Sequence, residues 1–93
     1  KQAMNEIFKK DVSEIDKCDF VVAILDGTDI DSGTAWEIGY AYATKKPVFG
    51  LRTDSRIFGG DEHCNLMIEE SVYFCKSLEE LLEYVKIKRN LLT

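Results

Sequence analysis

Six consecutive apolar residues, Phe20-Val21-Val22-Ala23-Ile24-Leu25, stop at Asp26-Gly27. The run does not alternate with polar residues. It therefore predicts a strand covered on both faces, as in a parallel sheet lying between two layers of helix. Asp-Gly is a turn signal and marks where the strand ends. A membrane span needs about 20 apolar residues, and this run, the longest in the chain, falls far short.

The flanking segments read as helices and further strands. Met4, Ile7 and Phe8 form an i, i+3, i+4 stripe over residues 2–10, and Val12, Ile15 and Cys18 continue an apolar face over a second short helical stretch that Ser13 could cap. After a polar loop from Thr28 to Gly33, residues 35–44 carry Trp36, Ile38, Tyr40 and Tyr42 among alanines and predict a helix. Gly39 reads as a point of close packing, and Lys45-Lys46 suit the helix C-terminus. Pro47 opens a strand over residues 48–51, and a long polar loop runs from Arg52 to Asn65. One helical turn over residues 66–69 precedes a third strand over residues 72–75. Ser77-Leu78-Glu79-Glu80 is a capping box, and Leu78, Leu81, Leu82 and Val85 supply the last helix with a face to bury. Strands alternating with helices imply an α/β domain: a doubly wound, flavodoxin- or Rossmann-like parallel sheet flanked by helices, one domain over residues 1–93. Ligands of such sheets bind beyond the carboxyl ends of the strands, which puts Asp26 and the loop to Gly33 at the expected site.

The net charge of −5, with acidic and basic residues interspersed, argues against a nucleic-acid polymer as partner. It does not disfavour a neutral nucleoside. The three cysteines, Cys18, Cys64 and Cys75, fit no zinc spacing, so no metal site is expected, and they read as reduced thiols of a cytoplasmic protein. A thiol nucleophile at Cys64 beside His63 is conceivable, but catalytic partners usually meet through the fold rather than as sequence neighbours.

Asp26, Asp31 and Glu37 are the residues on which chemistry could rest. Asp26 ends a strand, Asp31 precedes a helix, and Glu37 lies near that helix's start. Glycosidic-bond exchange uses such a set: one carboxylate attacks the anomeric carbon, and another acid helps the leaving group depart. Plainer readings stand beside this one. Thr34-Ala35-Trp36-Glu37 is itself a capping box that could occupy Glu37. Asp26 could be a turn residue, and Asp31, with Ser32, a helix cap.

The stretch from Cys18 to Gly27, then Asp31-Ser32-Gly33-Thr34-Ala35-Trp36-Glu37-Ile38-Gly39-Tyr40-Ala41, then Lys46-Pro47-Val48, resembles the nucleoside 2-deoxyribosyltransferase family. Two motifs agree in residue type, spacing and order, D-x-V-V-A-x-L-D-G and D-x-G-T-A-x-E-x-G-Y-A. The resemblance implies that Glu37 is the nucleophile, that Asp31 orients the deoxyribose within the substrate-binding turn that includes Gly33, and that Asp26 contacts the base and handles its proton. It implies that Asn65 reaches the sugar in a neighbouring subunit's site, hence a homo-oligomer with shared sites. The substrates would be a deoxynucleoside and a free nucleobase, with no cofactor. The family begins with a strand and a glycine-containing loop, whereas this sequence opens in what reads as the following helix. A first strand is thus expected to be missing from residues 1–93.

Two rival functions fit the same fold. A deoxynucleoside 5′-monophosphate N-glycosidase would share the nucleophile but must hold a phosphate, which Asp31 would repel. A non-catalytic nucleotide-binding module is compatible with the fold, because fold alone does not fix function.

Overall fold

The computed structural model describes residues 2–27, 29–53 and 65–92. Helix α1 (Gln2–Lys17) leads to strand β1 (Val21–Ile24), and helix α2 (Ser32–Ala43) returns the chain to β2 (Val48–Leu51). The one-turn helix α3 (Leu66–Glu69) precedes β3 (Tyr73–Cys75), and α4 (Leu78–Leu92) follows. The strands lie in the order β1-β2-β3 and all pairs are parallel, with Val21 opposite Val48 and Phe49 opposite Tyr73. This is the Rossmann-like α/β sheet that the alternation of strands and helices predicts.

Side chains alternate across a strand, so β2 sends Val48 and Gly50 one way and Phe49 and Leu51 the other. Two cores result. Ile15 of α1 and Ile38 and Ala41 of α2 pack with Ala23, Leu25 and Val48. Phe49, Cys75 and Leu81, joined by Leu51 and Val85, form the second core under α4. Gly50 is required where it stands: a Cβ there would come within 2.6 Å of Leu25 Cδ1 and 2.9 Å of Val72 Cγ2. The lack of a side chain lets Leu25 and Val72 close over the central strand.

Several expectations need correction. The two short N-terminal helices are one, because no glycine or proline interrupts the 3.6-residue pattern, and Ser13 lies inside it. Strand β1 is covered on one face only: Val22 is 45% and Ile24 57% exposed. Helix α4 packs on β2 and β3 and leaves the second face of β1 open. Gly39 is not a packing site, since a Cβ there would meet nothing within 4 Å. Of the four apolar residues expected to bury the face of α4, Leu81 and Val85 join the core; Leu78 and Leu82 are exposed.

The helix ends follow their chemistry. Ser77 Oγ accepts from the Glu80 amide at 3.1 Å, while Glu80 Oε1 accepts from the Lys76 amide at 3.3 Å, one residue upstream of the expected reciprocal bond. At the end of α2, Lys45 adopts φ 66°, and the amides of Lys45 and Lys46 donate to Tyr42 O and Ala41 O. That is a Schellman closure with lysine in the place where glycine is commonest. Lys46 Nζ then donates to Cys18 O at 2.7 Å, tying the α2–β2 turn to the α1–β1 turn.

Candidate active site

The placement of Glu37 depends on which residue starts α2. Asp31 does: its Oδ2 accepts from the Thr34 amide at 3.1 Å and from Thr34 Oγ1 at 3.3 Å. With the cap supplied there, Thr34 to Glu37 forms no capping box, and Glu37 stands in the second turn with its carboxylate uncommitted. Of the two plain readings weighed for these residues, capping therefore holds for Asp31 and fails for Glu37.

Packing of α1 against α2 leaves a cavity of about 340 Å³ between them, lined by Phe8, Asp11, Val12, Ile15, Asp31, Gly33, Trp36 and Glu37. Three of the residues picked out in the sequence, Asp31, Gly33 and Glu37, thus meet in one place. A second groove of about 320 Å³ is lined by Ile15, Thr34, Glu37 and Ile38 together with the residues of β1. Glu37 lines both, so it stands where the two spaces adjoin. The outer wall is aromatic. Trp36 stacks on Tyr40 at 5.4 Å and 6° and meets Phe8 edge-on at 5.5 Å. Such a wall suits the flat face of a heterocycle. Behind it, Tyr40 Oη donates to Asp16 Oδ1 at 2.6 Å, and this bond to a carboxylate pushes the phenol above its ordinary value of 10.0.

Asp11 is the residue that sequence reasoning missed. It faces Asp31 and Glu37 from α1, and among the described residues neither Asp11 nor Glu37 makes a side-chain hydrogen bond. A signal was available. Phe8, Asp11, Val12 and Ile15 occupy i, i+3, i+4 and i+7, so Asp11 is a carboxylate set inside an apolar stripe.

Asp26 and Asn65 are placed elsewhere. Asp26 is not among the residues lining either space; its Oδ1 accepts from the Thr53 amide at 2.7 Å and its Oδ2 from Thr53 Oγ1 at 2.8 Å. Asn65 caps α3, its Oδ1 accepting from the Met67 amide at 2.9 Å, and does not line the cavity of its own chain. Cys64 and His63 lie outside the described residues. Of the other thiols, Cys18 Sγ donates to Ile15 O, and Cys75 is buried, which together with the nearby Glu80 charge pushes its thiol above 9.0. Among the described residues, no three His, Cys, Asp or Glu side chains are placed to hold a metal ion, and no helix is long and apolar enough to cross a membrane.

The sequence profile of the nucleoside 2-deoxyribosyltransferase family matches residues 1–81. Among solved structures, the chain is similar to a 2-desoxiribosyltransferase from Leishmania mexicana, with a TM-score of 0.74 and 27% sequence identity. The match covers 85% of this chain and 65% of that one, so the chain spans about two thirds of the length of that relative. No curated protein sequence matches the chain.

Proposed function

Because the chain belongs to the nucleoside 2-deoxyribosyltransferase family, we propose that it moves a 2-deoxyribosyl group from one nucleobase to another through a covalent bond to Glu37. One observation carries this reading: the Glu37 carboxylate is released from helix capping and opens into a cavity with two further carboxylates and an aromatic wall.

The roles divide by what each carboxylate already holds. The Glu37 carboxylate, which accepts no hydrogen bond among the described residues, attacks the anomeric carbon, whose bond to the base nitrogen breaks as the glycosyl ester forms. The departing base keeps the bonding electrons and needs a proton. Asp11, on the opposite helix and equally uncommitted, is the group that delivers it. Asp31 spends one oxygen on its helix and keeps the other for the sugar. The incoming base then attacks the same carbon from the same pocket, Glu37 leaves with its electrons, and Asp11 takes back the proton. Two displacements retain the configuration of the sugar. Among the described residues, no lysine or arginine lines the cavity, which favours a free nucleoside over a nucleotide. Asn65, held away from its own chain's cavity, would complete the site of a second copy.

The test is Glu37→Gln, assayed for base exchange between a deoxynucleoside and an acceptor base. Exchange falls by several orders of magnitude while the melting temperature holds, and intact mass detects a deoxyribosyl adduct on the unsubstituted protein only. Retained exchange in this variant sinks the assignment. Release of free sugar from a deoxynucleotide, exceeding exchange, would favour the hydrolase instead.

A further inference from the structure

We propose that Asp26 is a positioning residue: with Arg52 and Thr53 it clamps the start of the β1–α2 loop and so fixes where Asp31 enters the cavity. The strand end is held by side chains from the next strand's end. Arg52 is 2% exposed, and its guanidinium donates to the carbonyls of Leu25 and Gly27, the latter at 3.0 Å. Between those carbonyls the Asp26 carboxylate takes one bond from the Thr53 amide and one from its hydroxyl. Three successive residues of one strand end are thus gripped by two successive residues of the other.

The clamp acts beside a residue with positive φ. Gly27 has φ 104°, a conformation that side chains strain, so the turn needs both the glycine and an external hold. Further on, Ile30 packs against the first core and Asp31 caps α2. The loop is fixed at both ends, and a shift at Gly27 is passed to Asp31 over four residues. Backbone ladder bonds adjoin the clamp: Leu25 N donates to Leu51 O, and Arg52 N to Cys75 O. The clamp therefore extends the sheet by one step at its carboxyl edge, where ligands of such sheets bind.

The catalytic consequence rests on the Glu37 assignment; the clamp itself does not, and two readouts separate them. The first is kcat/KM for base exchange. Asp26→Asn keeps an oxygen for the Thr53 amide and stays within about threefold of the unsubstituted protein, whereas Asp26→Ala falls roughly 10–100-fold. Thr53→Val falls about tenfold and Thr53→Ser restores the rate to within about twofold. Adding Thr53→Val to Asp26→Ala lowers it no further, as expected for two groups acting through one contact. The second readout is amide hydrogen exchange at Gly27 and Asp29, which speeds up about tenfold in Asp26→Ala and Thr53→Val and stays native in Asp26→Asn and Thr53→Ser. A loss beyond about 100-fold in Asp26→Asn with native hydrogen exchange overturns the assignment, because the charge itself would then take part in the reaction. Unchanged hydrogen exchange in both Asp26→Ala and Thr53→Val overturns it as well. If Glu37→Gln proves active, the catalytic reading fails alone and the hydrogen exchange still decides the clamp.

Discussion

The two faces of the sheet are built from similar residues and finish differently. Under α4, Phe49, Cys75 and Leu81 close a core, and the ring of Phe49 is locked between Phe20, edge-on at 5.5 Å, and Tyr73, stacked at 5.4 Å. Under α1 and α2 the core of Ile15, Leu25 and Ile38 is just as well buried, but it stops short. Beyond Ile15 the helices part around Asp11, Asp31 and Glu37, and the aromatics Phe8 and Trp36 remain about half exposed. One face is spent on stability, and the other leaves its last layer unfinished so that a ligand can complete it. On the proposed reading, chemistry sits where the packing pattern is interrupted by a charge.

Asp11→Leu tests that contrast most severely. The substitution completes the apolar stripe from Phe8 to Ile15 and takes the proposed proton-handling group out of the cavity. Exchange activity falls by about 10²–10⁴-fold, the range typical of a lost general acid. The urea midpoint holds or rises, because active sites commonly give up stability for function. A variant that loses stability and keeps activity would reverse the contrast between the faces.

Next in size is a pair of phenylalanines. Phe49→Ala opens a void in a fully buried core and destabilises the fold by about 3–5 kcal/mol. Phe8→Ala removes a ring that is 53% exposed and touches Trp36 by an edge, at a cost of about 1 kcal/mol. Urea unfolding of the two variants measures the difference directly. Equal costs would mean that the α1 face is as closed as the α4 face.

Much of this organisation is legible in the sequence, and the parts that are not share a cause. The apolar run to Leu25 and the Asp-Gly stop announce a parallel strand, and the motif from Asp31 to Glu37 marks the helix beyond it. Both signals are local, and the family's sequence profile matches the segment that carries them. Asp11 was legible only as a charge interrupting the apolar stripe from Phe8 to Ile15; what it faces depends on α1 lying against α2, which no pattern within α1 encodes. Asp26 was legible as a strand-end carboxylate but not as an anchor, since Thr53 comes from 27 residues away. Likewise, the exposure of Val22 and Ile24 depends on how far α4 reaches, which no pattern within β1 encodes.

The smallest effect is a pH dependence confined to the α4 face. Burial, and secondarily the Glu80 carboxylate, raises the Cys75 thiol above its ordinary 9.0. In the unfolded chain the thiol loses its proton near that ordinary value, while in the folded protein it holds the proton to higher pH. The folded state then binds more protons than the unfolded state between the two, so stability falls as pH rises through that window. The contribution is fully present below pH 9.0 and is lost as pH climbs through the folded value. Cys75→Ala or Cys75→Val removes this slope, and comparing urea midpoints from pH 7 upward in steps isolates it. The same burial shields the thiolate, so Cys75 alkylates slowly in the folded protein and quickly in urea. Fast alkylation of Cys75 under native conditions would show that the α4 face opens readily, and the contrast between a closed face and an unfinished one would no longer stand.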